Sequence, residues 1–211
     1  MLDTVRFVGK NLRVDLRLIA DMIGPRSRVL DIGCGDGTLI DELFTTKACD
    51  ARGIEIDMAL VARAVTVGLP VMNGDADEDL QHYPDGAFDY VVLSRTLQAV
   101  ERPREVLRQM LRIGTRAIVS FPNFGHWLVR WQLVSTGTMP MTPTWDRMWY
   151  ETPNIHPCTI QDFFNLCATE GYVVEQWLAA DEKGRRVPWR RFPQLANLFG
   201  EQGLFLLRRG A

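Results

Sequence analysis

The chain has 211 residues, 46% hydrophobic and 24% charged, the proportions of a globular protein with a sizeable core. A net charge of −2 argues against a dedicated nucleic-acid binder, and the pairs Arg185-Arg186 and Arg190-Arg191 read as a solvated rim or a protein contact. No apolar run reaches membrane-spanning length and the start lacks the apolar core of a signal peptide, so no membrane partner and a cytoplasmic location are expected.

Residues 1–10 carry no strong signal. From Asn11 to Ile23, Leu12, Leu16, Ile19, Ala20 and Ile23 recur at spacings of three and four, the period of an amphipathic helix that Gly24-Pro25 stops. A strand over 28–32, Arg-Val-Leu-Asp-Ile, then runs into Gly33-Cys34-Gly35-Asp36-Gly37 and a helix to about Thr45. A second strand covers about 50–56, followed by a helix with Leu60, Ala64 and Val67 on one face, ended by Gly68. A short third strand, Leu69–Asn73, leads to Gly74-Asp75-Ala76, and Asp77–Asp85 reads as an acidic loop.

Phe88–Leu93 is a near-continuous apolar run of the buried parallel type, ending in Ser94. Pro103 opens a helix that Gly114 closes, and Ala117–Phe121 is the fifth strand. Strands alternating with helices imply right-handed crossovers and a parallel sheet. From Pro122 to Cys158 the alternation lapses into an aromatic and proline-rich insertion holding Trp127, Trp131, Trp145, Trp149 and Tyr150. For any one of these tryptophans the core is the expected fate. A helix resumes at Thr159–Glu170 with Thr159 as N-cap, and Tyr172–Trp177 and Leu204–Leu207 read as a closing antiparallel pair around the basic stretch 181–203.

Chemistry concentrates at three successive strand ends. Alternate glycines at 33, 35 and 37 let the backbone turn sharply and approach a ligand, and the following helix aims free N–H groups at the turn. Glu55, about 20 residues beyond the glycines, sits where a ribose diol meets a carboxylate acceptor. Asp75 and Ala76 end the third strand and are expected to border an adenine, with Ile56 against one ring face; for Asp75 the alternative is a helix cap over 76–80. The acids Asp31 and Asp36 would repel a pyrophosphate but suit a cationic ligand. Cys34, Cys49, Cys158 and Cys167 lack C-x-x-C spacing and read as free thiols, and His156 with Cys158 and Cys167 makes no expected metal site.

The string Asp31-Ile32-Gly33-Cys34-Gly35-Asp36-Gly37 resembles the first motif of class I S-adenosylmethionine (SAM)-dependent methyltransferases rather than the G-x-G-x-x-G of dinucleotide dehydrogenases. The resemblance implies one domain over 1–211 with an insertion at about 122–158. Its fold would be Rossmann-like: a mostly parallel seven-stranded sheet, helices on both faces and an antiparallel last strand. The implied ligand is SAM or S-adenosylhomocysteine, held by Asp31, Gly33, Cys34, Gly35, Glu55, Ile56, Asp75, Ala76 and Ser94.

Ser120–Trp127 (Ser-Phe-Pro-Asn-Phe-Gly-His-Trp), Thr136–Pro140, Trp149–His156 and Leu93–Val100 narrow the likeness further: over nearly the whole chain it resembles the methionine-biosynthesis protein MetW. That family is understood to work with MetX, the homoserine O-acyltransferase, so the resemblance implies an accessory partner that could sense SAM. The residues bear on this through an absence. The position after strand four reads Ser94-Arg95-Thr96-Leu97, without the Asn/Asp-Pro-Pro-aromatic turn of amino-methylating enzymes, and no partner is fixed by sequence for His126, His156 or Tyr150 as a base. No catalytic residue is assigned. A methyltransferase that relies on proximity alone, acting on a small metabolite, stands as the alternative.

Overall fold

The computed structural model describes residues 12–189 and 191–210; Asn11, where the first helix was expected to start, and Arg190 of the basic stretch lie outside them. Among the described residues the strands are β1 (Arg28–Ile32), β2 (Asp50–Glu55), β3 (Val71–Asn73), β4 (Phe88–Ser94), β5 (Gly114–Pro122), β6 (Val173–Ala180) and β7 (Gln202–Arg208). The helices are α1 (Val14–Met22), α2 (Thr38–Lys47), α3 (Met58–Thr66), α4 (Ala76–Asp79), α5 (Pro103–Ile113), α6 (Trp127–Thr136), α7 (Ile160–Glu170) and α8 (Pro193–Phe199). The strands form one sheet in the order β3-β2-β1-β4-β5-β7-β6. β1 runs parallel to β2 and β4, β2 parallel to β3, and β6 antiparallel to β7, as the strand-helix alternation and the reversed final pair required.

The chain groups into two compact units, residues up to 94 with 102–118, and 95–101 with 119 onward. In the first, Val29, Leu30 and Ile32 of β1 are fully buried, the pattern of a strand covered on both faces. Gly37 enters α2 with φ +80, and a Cβ there would lie 2.6 Å from Leu69 Cδ1, so both conformation and packing demand glycine. On α3 the buried pair is Val61 and Ala64 rather than the expected Leu60–Ala64–Val67 face. The acidic stretch expected as a loop winds into α4 and a 3-10 turn at Leu80–His82, because Asp75 caps the helix and Leu80 anchors the turn in the core. β5 begins at Gly114, directly after α5, and a Cβ there would press on Val91 at 2.5 Å.

The second unit is built on two cores. Phe121, Phe163, Phe164, Trp177 and Phe205 form an aromatic cluster with centroids 4.6–6.2 Å apart. Beside it, buried Asn123 donates from Nδ2 to the carbonyls of Asn197 and Gly200, both at 2.7 Å. Its Oδ1 accepts from the N–H groups of Gly125 at 2.9 Å and Ile160 at 3.1 Å. One side chain thereby ties the end of β5 to the start of α7 and the end of α8, which accounts for the asparagine in the Pro-Asn-Phe-Gly string. The Thr159–Asp162 capping box starts α7 as expected. In this unit two helices were unexpected. α6 lies within the insertion and α8 within the basic stretch, the latter opened by Pro193.

Candidate functional site

The glycine turn is held from below by β2. Ile54 carbonyl oxygen accepts from the N–H of Gly33 at 2.8 Å and of Cys34 at 3.3 Å. Glu55, at the tip of β2, accepts from the Gly35 N–H through Oε2 at 2.8 Å and from the Asp57 N–H through Oε1 at 3.0 Å. Gly33 and Gly35 have φ of +66 and +59. A Cβ on Gly35 would meet nothing within 4 Å, so the backbone there borders open space. Cys34 packs inward: a Cβ on Gly53 would collide with its Sγ and lie 2.7 Å from Ile40 Cδ1. Burial pushes the Cys34 thiol up, which makes it a packing group and not a nucleophile.

The neighbouring strand ends supply the rest. Asn73 Nδ2 donates to the carbonyls of Glu55 and Ile56 at 3.1 and 3.0 Å, and the Gly74 N–H donates to Glu55 O at 3.1 Å, so β3 is tied to the β2 tip. Ile56 itself is 65% exposed. Asp75 Oδ1 accepts from the Asp77 N–H at 2.9 Å, the helix-capping bond, with Ala76 opening α4 behind it. At the end of β4, Ser94 Oγ donates to Asp15 Oδ2 at 3.2 Å and accepts from Arg13 Nη2 at 2.8 Å. Arg13 and Asp15 are themselves paired twice at 2.9 Å.

Asp31 is the anomaly in this group. It is 2% exposed, and its Oδ1 has no hydrogen-bond partner among the described residues. Burial raises its carboxyl to about 7; Arg13 opposes the rise, while Glu55 and Asp15 add to it. Two further buried carboxylates, Asp15 and Glu55, thus act on it from nearby. The expected residues on β1, β2 and β4 come together here, and Asp75 and Ala76 join through the β3 link. Arg13, Asp15 and Asn73 were not foreseen. Asn73, between strand three and Gly74-Asp75, carried a local signal; Arg13 and Asp15 carried none, because Ser94 is far away in sequence.

Among the described residues no side chain of His126, His156 or Tyr150 pairs with a carboxylate. His156 Nε2 meets the Glu101 carbonyl at 3.3 Å, and the exposed Tyr150 rests edge-on against Trp149. The four cysteines are free. No helix among the described residues is long and apolar enough to cross a membrane, and no group of three metal-ligating side chains occurs among them.

The strand order, the glycine turn after β1 and the acid at the β2 tip define a protein of the class I methyltransferase fold. Solved structures agree: an S-adenosylmethionine dependent methyltransferase from Mesorhizobium loti superposes with a TM-score of 0.70, covering 95% of this chain and 100% of that one at 17% identity. A SAM dependent methyltransferase from Archaeoglobus fulgidus gives a TM-score of 0.68 over 94% and 93% of the two chains, also at 17% identity. The family described as Methionine biosynthesis protein MetW matches residues 13–207, and the chain belongs to that family. A relative from Rhodopirellula baltica, the bifunctional methionine biosynthesis protein MetXA/MetW, is 34% identical over 194 residues. That match covers 87% of this chain but only 31% of the relative, so the chain spans about a third of that protein's length. A demethylmenaquinone methyltransferase from Renibacterium salmoninarum is 30% identical over 52% of this chain and 49% of its own.

Proposed function

We propose that this chain binds SAM or S-adenosylhomocysteine at the ends of β1–β4 and acts as an accessory subunit of the homoserine O-acyltransferase MetX in methionine biosynthesis. The observation that carries the partnership is the relative in which MetXA and MetW are parts of one polypeptide. Segments fused in one chain meet at high effective concentration, which favours modules that act together.

The residues fit the ligand on two counts. Asp31 Oδ1 is a buried acceptor without a partner among the described residues, suited to a cationic amino acid head, and the open space beside Gly35 admits a ligand at backbone distance. Glu55 would accept from the ribose hydroxyls with the lone pairs its backbone bonds leave over, and Ile56 would support the adenine. Gly33 and Cys34 would shape the turn, Ala76 and the second oxygen of Asp75 would face the adenine edge, and Ser94 would close the site with Arg13 and Asp15. When bound, SAM supplies a methyl group on a positively charged sulfur.

The surface fits an accessory role. Against the expectation of core placement for the tryptophans, Trp127, Trp131 and Trp149 are exposed, Trp149 to 69%, and only Trp145 of the four is buried; Tyr150 is exposed beside Trp149. Trp and Tyr are enriched among the residues that carry binding energy at protein interfaces, and this segment leaves four of them exposed. Calorimetry with SAM and S-adenosylhomocysteine, followed by co-purification with the acyltransferase, tests both halves. Binding of neither nucleoside would remove the ligand reading. Rapid methyl transfer to a metabolite, with no association with the acyltransferase, would replace the accessory role by the methyltransferase alternative.

A further inference from the structure

The ladder between β2 and β3 pairs Gly53 with Val71, Ile54 with Met72 and Glu55 with Asn73, and there it ends. Glu55 and Ile56, the residues assigned to the ribose and the adenine, straddle that end. The main chain at Ile56 therefore lies one step past the last strand pair, in the connection to α3. Connections of this kind are more mobile than the strands they join, and a carboxylate mounted there would move with the chain.

Asn73 extends the hold by that one residue. Its Nδ2 carries two N–H bonds, and they go to successive carbonyls, Glu55 at 3.1 Å and Ile56 at 3.0 Å. The Gly74 N–H also donates to the Glu55 carbonyl, at 3.1 Å. From the other side, Glu55 Oε1 accepts from the Asp57 N–H at 3.0 Å, and Asp57 caps α3 by accepting from the Ala59 N–H at 2.8 Å. The turn from Glu55 to Asp57 is thus pinned by β3 and by α3 together. Packing does not call for asparagine at position 73, since it is exposed and β3 lies at the edge of the sheet. Strand propensity does not call for it either. Its amide does: an aspartate of the same shape would set a carboxylate against two carbonyl oxygens, and a valine would offer no donor. A residue that breaks the local rule of its strand is expected where a site requires it.

We propose that Asn73 is a positioning residue that sets the selectivity of the site for a ribonucleoside over its 2′-deoxy form. It holds the main chain of Glu55 and Ile56 so that the Glu55 carboxylate meets both ribose hydroxyls. It acts through Glu55 and makes no ligand contact of its own. The inference rests on the nucleoside reading of the strand ends and goes beyond it by naming what aims the carboxylate.

The test is calorimetry of the full chain with S-adenosylhomocysteine and with its 2′-deoxyribose analogue. The wild type is expected to favour the ribose form by about tenfold or more. Asn73→Val should bind S-adenosylhomocysteine about five- to tenfold more weakly and the deoxy analogue nearly as before, so that the preference collapses. Asn73→Asp, which keeps the shape without the donors, should do the same, with thermal unfolding reporting that both variants are native. In a Glu55→Ala background Asn73→Val should add less than about a twofold change, because residues that act as one unit are not additive. Equal weakening of both ligands marks a general loosening and overturns the proposal, as does full additivity with Glu55→Ala. A wild type that prefers the ribose form and native variants with the same preference overturn this inference alone. A wild type that binds neither ligand overturns the nucleoside reading and this inference with it.

Discussion

The Gly35 N–H donates to Glu55 Oε2 at 2.8 Å, so the carboxylate at the tip of β2 shapes the glycine turn as well as facing the space beyond it. Replacing Glu55 by Ala removes a bond to the turn and an acceptor for the ligand together. SAM affinity should fall by roughly 1.5–3 kcal/mol, a factor of ten or more. Glu55→Gln retains one carbonyl acceptor and should lose less. Calorimetry that finds Glu55→Ala binding at full strength would take Glu55 out of the site.

Asp31 makes the stability of the ligand-free protein depend on pH. Its carboxyl is raised from 3.8 to about 7 by burial, so the folded chain keeps a proton that the unfolded chain has lost. The folded state binds more protons between these values, and stability therefore falls as pH rises from about 4 to about 7, by an amount on the order of a few kcal/mol. Asp31→Asn should flatten this slope and stabilise the protein at about pH 8 while weakening SAM binding. Denaturant titrations at about pH 5 and about pH 8 measure both slopes. Parallel slopes in the two proteins would assign the dependence to another group.

The two glycines flanking Asp36 should respond differently to alanine. Gly35→Ala meets open space and incurs only the left-handed backbone cost, about 1–2 kcal/mol, yet its methyl intrudes where the ligand approaches. Gly37→Ala adds a clash with Leu69 and should destabilise the fold more. Thermal unfolding ranks the second variant lower, and SAM titration shows the first to be the worse binder relative to its stability.

Trp149 is exposed enough that its removal should leave the fold and SAM affinity intact. Trp149→Ala should nonetheless reduce association with the acyltransferase by about 1–2 kcal/mol or more if it anchors the contact. A pull-down combined with a melting curve separates the two effects. Equal capture of both proteins at equal stability moves the docking surface elsewhere.

Periodicity and glycine spacing made β1, β2, β4 and the turn between 33 and 37 legible, because a doubly covered strand ending in glycines has few other readings. α6 was not legible. Its apolar residues, Trp127, Leu128, Val129, Trp131, Leu133 and Val134, sit on every side, so no helical stripe stands out, and prolines further along the insertion argued for loop. α4 was hidden by its acids, although the same acids, led by the Asp75 cap, stabilise its first turn. In the site, Glu55 and Asp31 were visible from their distance to the glycines. The Arg13–Asp15 pair on Ser94 was not, since only folding brings Ser94 to them.

The central claim is that this chain binds the nucleoside and acts through the acyltransferase, and the rate of homoserine acylation tests it most directly. Purified acyltransferase is assayed alone, with this chain, and with this chain plus SAM. The account predicts faster acylation when the chain is present, a further change with SAM, and loss of that SAM-dependent change in Glu55→Ala. Acylation at the same rate in all three mixtures would contradict it.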